Sequence, residues 1–272
     1  MVTASPSVLS MYEVLRDAIR AEQPVALATV ITRTDDQPVA GHLVLRPGHD
    51  ALGTLGNPEL DRVVARDAEG ELAAGLTSTR RYGPNGEARQ EEVSVFIESF
   101  APPPRMVIFG AVDFTAALVR AAKLLGYRVT VCDARPVFAT TQRFPLADEV
   151  VNDWPDRYLD AHGADLGPAD VVCVLTHDPK FDVPAITAAV RTKVGYLGAM
   201  GSRKTHSTRT DRLREAGLTD DQLARVMAPI GIDIGARTPE ETAISIVAEI
   251  IALRTGRAVA SLRDGEGPIH RS

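Results

Sequence analysis

The chain has 272 residues, 44% hydrophobic and 24% charged, the balance of a globular protein with room for one large domain or two modest ones. Its formal charge of −6 falls on residues 1–104, with 9 basic and 15 acidic residues, while residues 105–272 hold 21 of each, which argues against a general nucleic-acid binder. No apolar run approaches the ~20 residues that span a bilayer and no basic-then-apolar leader opens the chain; with two cysteines and no disulfide framework, these features predict a cytosolic protein with Cys132 and Cys173 buried and reduced.

The first predicted helix is "SMYEVLRDAIRAEQ", with Met11, Val14, Leu15, Ala18 and Ile19 along one face. Strands are expected at "VALATVI", "HLVLRP" and "EEVSVFIESF", and the polar stretch 67–90 reads as loop. Residues 1–104 are thus a small α+β domain. "APPP" at 101–104 can continue neither a helix nor a central strand, so the domain boundary is placed there.

From Arg105 the pattern alternates between strands and helices. Strands are predicted at "RMVIFG", "YRVTVCD", "DEVVN", "ADVVCVLT" and "VGYLGA". A helix follows the first at "FTAALVRAAKLLG", closed by Gly126, with others near 155–162 and 183–192. This order gives a doubly wound, Rossmann-like parallel sheet over residues 105–258. "SRKTHSTRTDRLREAG" reads as a helix closed by Gly217, and "TDDQ" as a capping box. "TPEE" predicts Thr238 as N-cap, Pro239 in the first turn and Glu241 reaching back, with Ala243, Ile246, Val247, Ile250 and Ile251 as the buried face. Residues after Arg257, chiefly 259–272, read as a loose tail.

Three segments carry candidate site residues. At the first strand-to-helix turn, Gly110 permits a tight bend, but Val112 stands where a dinucleotide fingerprint has its second glycine. Asp113 is expected to compete with a phosphate for the turn's amides, whereas Asp133 matches the ribose-binding acid in position. The turn either binds a nucleotide or is kept for folding.

In "LTHDPKFD", His177, Asp178 and Asp182 follow a strand whose carboxyl end should face a ligand, as acid/base groups, polar ligands to a cofactor or metal ligands, though one His and two acids are too few to assign a metal; the alternative makes Asp182 a helix N-cap. In "YLGAMGSRKT", Gly198 and Gly201 flank a strand-to-helix transition, and Arg203 and Lys204 occupy a first turn that ordinarily favours acids. From Arg191 to Arg214 there are seven basic residues and one acid. Ser202, Arg203, Lys204 and loop amides would hold a phosphate or carboxylate; the alternative is a solvated basic helix. No metal site and no catalytic residue is assigned.

The blocks "VIFGAVDFTAALVRAAKLLGYRVTVCDAR", "RFPLADEVV", "LTHDPKFD", "YLGAMGSRKT" and "APIGIDIGARTPEETAISIVAEIIALR" resemble successive segments of the xanthine dehydrogenase accessory factor family, XdhC/CoxI, over roughly residues 105–257. The resemblance implies a Rossmann-like domain behind a small N-terminal one. It implies a cytoplasmic chaperone that binds molybdenum cofactor as cargo, as molybdopterin or its dinucleotide. Delivery would be to a xanthine dehydrogenase-type or CO dehydrogenase-type molybdenum hydroxylase apoenzyme, with a sulfurase and a second copy of the chain as further partners. Gly110, Asp133, His177, Asp178, Gly198, Gly201, Ser202, Arg203 and Lys204 would then line the cofactor's site. Two positions depart from the family pattern. Gly110-Ala111-Val112-Asp113 replaces Gly-Ala-Gly-His, and Asn57 stands where a Gly-Gly-Cys-x-Glu motif has its thiol. An NAD(P)-dependent oxidoreductase on the same core, and a non-catalytic paralogue acting by protein contact, stand as alternatives.

Overall fold

The computed structural model describes residues 8–34, 39, 41–88 and 90–259. Most of the tail predicted after Arg257 lies outside them. The chain divides into two compact units between Pro102 and Pro103.

The first unit is an antiparallel sheet of five strands in the order β3-β2-β1-β5-β4. These are β1 (Val25–Arg33), β2 (His42–Leu45), β3 (Leu52–Thr54), β4 (Ser78–Tyr82) and β5 (Val93–Phe100). Alternation along β1 sends Ala26, Ala28 and Val30 to one face and Val25 to the other. Helix α1 (Val8–Arg20) covers the Val25 face with Met11 and Ala18. Ile19, expected in that face, is 40% exposed, because it lies past the edge of the narrow stripe the helix buries.

Helix α2 (Pro58–Ala74) covers the other face with Leu60, Val64, Ala68 and Leu72, one turn apart. Much of α2 and all of β4 fall in the segment read as loop. That reading failed because Gly70 and six charged residues between 61 and 71 mask a four-residue apolar repeat. A buried charge completes the segment: Glu71, 4% exposed, accepts from Ser78 Oγ at 2.6 Å and from Arg80, stitching α2 to β4. Asn57 is the N-cap of α2, its side-chain oxygen accepting from the Glu59 N–H at 2.9 Å.

The second unit holds a six-stranded sheet in the order β11-β10-β9-β6-β7-β8, with its paired strands parallel. The strands are β6 (Arg105–Phe109), β7 (Arg128–Cys132), β8 (Glu149–Val151), β9 (Val171–Val174), β10 (Tyr196–Ala199) and a short β11 (Val226–Met227) that the sequence reading missed. Both faces are buried, so β6 is continuously apolar. Met106 and Ile108 face α3 (Asp113–Leu124) and α8 (Pro239–Thr255). Val107 and Phe109 face α4 (Pro155–His162), α5 (Pro179–Ala189) and α6 (Arg203–Glu215). A short α7 (Asp220–Ala224) opens on the expected Thr219 capping box.

Helix α8 has the expected Thr238 cap and Glu241 return bond, but Ile251, at the edge of the buried face, is 38% exposed, while Ser245 is buried with its hydroxyl donating to Ile232 O at 2.5 Å. Helix α5 begins at Pro179, four residues ahead of its predicted start. Its N-cap is Asp178, which accepts from the Lys180 N–H at 3.1 Å, so Asp182 is not the cap. Strand order reverses between β6 and β9, the point at which open parallel sheets form a crevice beyond their carboxyl ends.

Candidate functional site

Two segments meet at that crevice: the turn after β6 and the loop after β9. Gly110 has φ +113°, and a Cβ there would come within 2.7 Å of Thr176 Cγ2 and 3.1 Å of Thr176 N. The glycine is required by this close approach as well as by its backbone conformation.

The amides of Gly110, Ala111 and Val112 are engaged. Gly110 N–H donates to Cys132 O at 3.0 Å, Ala111 N–H to Asp133 Oδ2 at 2.8 Å, and Val112 N–H to Thr115 Oγ1 at 3.3 Å. Asp113 does not compete for them; its exposed carboxylate lies 3.7 Å from Arg143. The acid inside the turn is Asp133. It is 3% exposed and accepts from Arg135 through the backbone N–H at 2.9 Å, Nε at 2.9 Å and Nη2 at 2.7 Å. Burial opposes its charge, but the Arg135 guanidinium and the Ala111 and Arg135 amides outweigh that and hold the carboxyl below the usual aspartate range. Asp133 therefore braces the turn, and a ribose hydroxyl would have to displace these bonds.

Beyond the turn lies a first cleft of about 410 Å³ lined by Val112, Arg135, Thr176, His177, Asp178 and Phe181. The Arg135 guanidinium sits 4.6 Å from the Phe138 ring centroid and 5.7 Å from that of Phe181. Arg143 Nη1 donates to Ala111 O at 3.0 Å and Phe138 O at 3.2 Å, tying residues 138–143 to the turn. Sequence reasoning missed both arginines. The signal for Arg135 was its place two residues past Asp133, the spacing of a local carboxylate–guanidinium pair.

A second cleft of about 260 Å³ opens between α5 and α6, and His177 and Pro179 line it as well. At its base Asp182 pairs with Arg209, whose Nη2 donates to Asp182 Oδ2 and to Met200 O, both at 2.7 Å. Thr176 also donates to Asp182. Burial pushes the Asp182 carboxyl up, against the pull of Thr176 and Arg209.

Of the five residues predicted to hold the anion, Gly198, Gly201, Ser202, Arg203 and Lys204, only Lys204 lines either cleft. Gly198 lies inside β10, where a Cβ would strike Ile230 Cδ1 at 2.5 Å. Gly201, at φ +144°, packs beside Thr205. Ser202 caps α6, its Oγ accepting from the Thr205 N–H at 3.1 Å, and Arg203 is exposed. The basic surface is instead a stripe along α6: Lys204, Thr208 and Arg212 one turn apart, with Thr205 and Arg209 beside them. Its four-residue spacing was the signal available in the sequence.

Both thiols are buried and free, and burial pushes Cys132 up to about 12 and Cys173 up as well. Among the described residues, no group of three or more His, Cys, Asp or Glu is placed to hold a metal ion, and no helix is long and apolar enough to cross a membrane.

A family model described as the XdhC Rossmann domain matches residues 106–250, and one described as the XdhC and CoxI family matches residues 18–83. A Bacillus subtilis (strain 168) protein, named as a probable xanthine dehydrogenase subunit, is 33% identical over 169 residues, 62% of this chain and 48% of its own length. The molybdenum cofactor insertion chaperone PaoD of Escherichia coli (strain K12) is 30% identical over 159 residues, 58% of this chain and 43% of its own. The chain thus spans just under half the length of these curated relatives. A crystal structure of a protein named a xanthine dehydrogenase from Bacillus halodurans superposes with a TM-score of 0.63 at 25% identity, covering 94% of this chain and 69% of the other.

Proposed function

The chain belongs to the XdhC and CoxI family, and from that premise we propose that it is a maturation factor holding molybdenum cofactor as cargo for a molybdenum hydroxylase apoenzyme. The observation that carries the reading is the first cleft. It lies at the switch point and presents a guanidinium, an imidazole and an aromatic ring together in Arg135, His177 and Phe181.

Those groups suit a flat, polar heterocycle with an anionic arm. Phe181, buried against Trp154 and beside Arg135, gives the cleft an apolar wall, and Arg135 and His177 offer donors to ring carbonyl and sulfur-bearing edges. A cleft of about 410 Å³ falls within the roughly 300–1,000 Å³ usual for small-molecule sites. The relative named a molybdenum cofactor insertion chaperone supports the same cargo. A carrier need only bind, shield and release. Neither buried thiol of this chain is suited to handle sulfur, so sulfuration falls to a partner enzyme. The engaged amides of the Gly110 turn weigh against NAD(P) as the ligand.

The test is what co-purifies with the full chain from a host that makes molybdenum cofactor. Oxidation of the wild-type protein should release a fluorescent pterin, and His177→Ala with Arg135→Ala should lower its yield at least tenfold. Wild-type protein that carries NAD(P) and no pterin would reject the reading in favour of an oxidoreductase.

A further inference from the structure

We propose that the second cleft, between α5 and α6, is a phosphate-binding subsite. The assignment deepens the cargo reading, on which its choice of physiological ligand rests: the cleft takes the cargo's phosphate while its ring lies in the first cleft.

The argument starts from Arg209. Its side chain is 4% exposed, and its Nη2 is occupied by Asp182 and Met200. Its Nη1 is buried and has no hydrogen-bond partner among the described residues. A buried guanidinium N–H without an acceptor is costly, and Arg209 is one of the residues lining the cleft, so an anion bound there would lie beside a donor that lacks an acceptor.

Charge points the same way. Lys204, Arg209 and Arg212 bring three cations to the cleft, and Asp182 brings one carboxylate already committed to Arg209. The surplus of two positive charges matches a phosphate monoester, which carries about −1.5 to −2 at pH 7. A carboxylate would satisfy one guanidinium and leave the rest of the stripe unmatched.

Size sets the division of labour. At about 260 Å³ the cleft is smaller than the roughly 300–1,000 Å³ of sites that take a whole small molecule, so it suits a group. It shares His177 and Pro179 with the first cleft, so one ligand can reach both.

The probe is inorganic phosphate, titrated into the full chain at fixed ionic strength against chloride, with the thermal midpoint and calorimetric heat as readouts. Wild type should show saturable binding. The double variant Lys204→Gln, Arg212→Gln alters two residues outside the core and should weaken phosphate at least tenfold. Arg209→Lys keeps the charge beside Asp182 but removes the second N–H arm, and should weaken phosphate by more than the accompanying fall in the ligand-free midpoint accounts for. Arg214→Gln removes a cation from the same helix outside the cleft and should leave the affinity unchanged. Absence of saturable binding, or wild-type affinity in the double variant, overturns the proposal.

Protein carrying pterin distinguishes the source. If phosphate is then blocked, the cleft holds the cargo's own phosphate; if it still binds, that assignment to cargo fails. Phosphate binding without any pterin would sink the cofactor reading and leave the subsite standing. Pterin retention with phosphate indifferent to the double variant would sink the subsite alone.

Discussion

Asp133 shows how far one residue's position determines its chemistry. It stands 23 positions past Gly110, where a ribose-binding acid is expected, yet its carboxylate faces inward to Ala111 and Arg135. Because its native pKa is lowered, its charge contributes stability above the unfolded pKa of about 3.9, and that contribution is lost as pH falls through the native value. Asp133→Asn should therefore cost about 1–3 kcal/mol at pH 7. The gap between variant and wild type in urea unfolding should narrow as the pH falls below about 4. A gap that stays constant down to pH 3 would show that the charge contributes nothing. The position was legible in the sequence; the direction of the side chain was not, because it depends on an arginine two residues on and on an amide across the turn. Val112 was legible as a departure from the dinucleotide fingerprint, but the turn's occupied amides were not, since Thr115 and Asp133 reach them only in three dimensions.

At the scale of elements, the parallel sheet was readable almost strand by strand, because strands buried on both faces are short, continuous apolar runs between glycines and prolines. Helix α2 was hidden by its charges, and the start of α5 by Pro184, which sits inside the helix rather than ahead of it. That shift turned Asp182 from a cap into half of a buried pair. Asp182 and Arg209 join α5 to α6 with side chains 3% and 4% exposed. Asp182→Ala leaves the guanidinium buried and uncompensated, and should destabilise the chain by about 3–5 kcal/mol in urea unfolding. Asp182→Leu with Arg209→Met removes both charges and should recover most of that loss. A double variant as unstable as the single one would mean that packing, not charge, fails at this seam. The candidate anion helix was legible as basic, but the first turn drew attention away from the stripe one and two turns further along.

At the scale of the molecule, each unit has its own core: Leu60, Val64 and Ile97 belong to the first, Ile108, Leu118 and Ile246 to the second. Both clefts are lined from the second alone. A fragment running from Pro103 to Val259 should accordingly unfold in one cooperative transition and give the full chain's phosphate response, as followed by near-ultraviolet circular dichroism and calorimetry. A fragment without fixed side-chain signals would show that the second core is insufficient by itself. Within that unit, Thr176 faces two ways. Its methyl lies against the Gly110 turn at the first cleft, and its hydroxyl donates to Asp182 beneath the second. A side chain shared in this way makes the two clefts thermodynamically linked wherever its position differs between loaded and empty states. Linkage is symmetric: the factor by which one occupant changes the other's affinity is the same in both directions. A carrier with that wiring could loosen its hold on one end of a molecule by giving up the other, so release would proceed in two small steps in place of one large one.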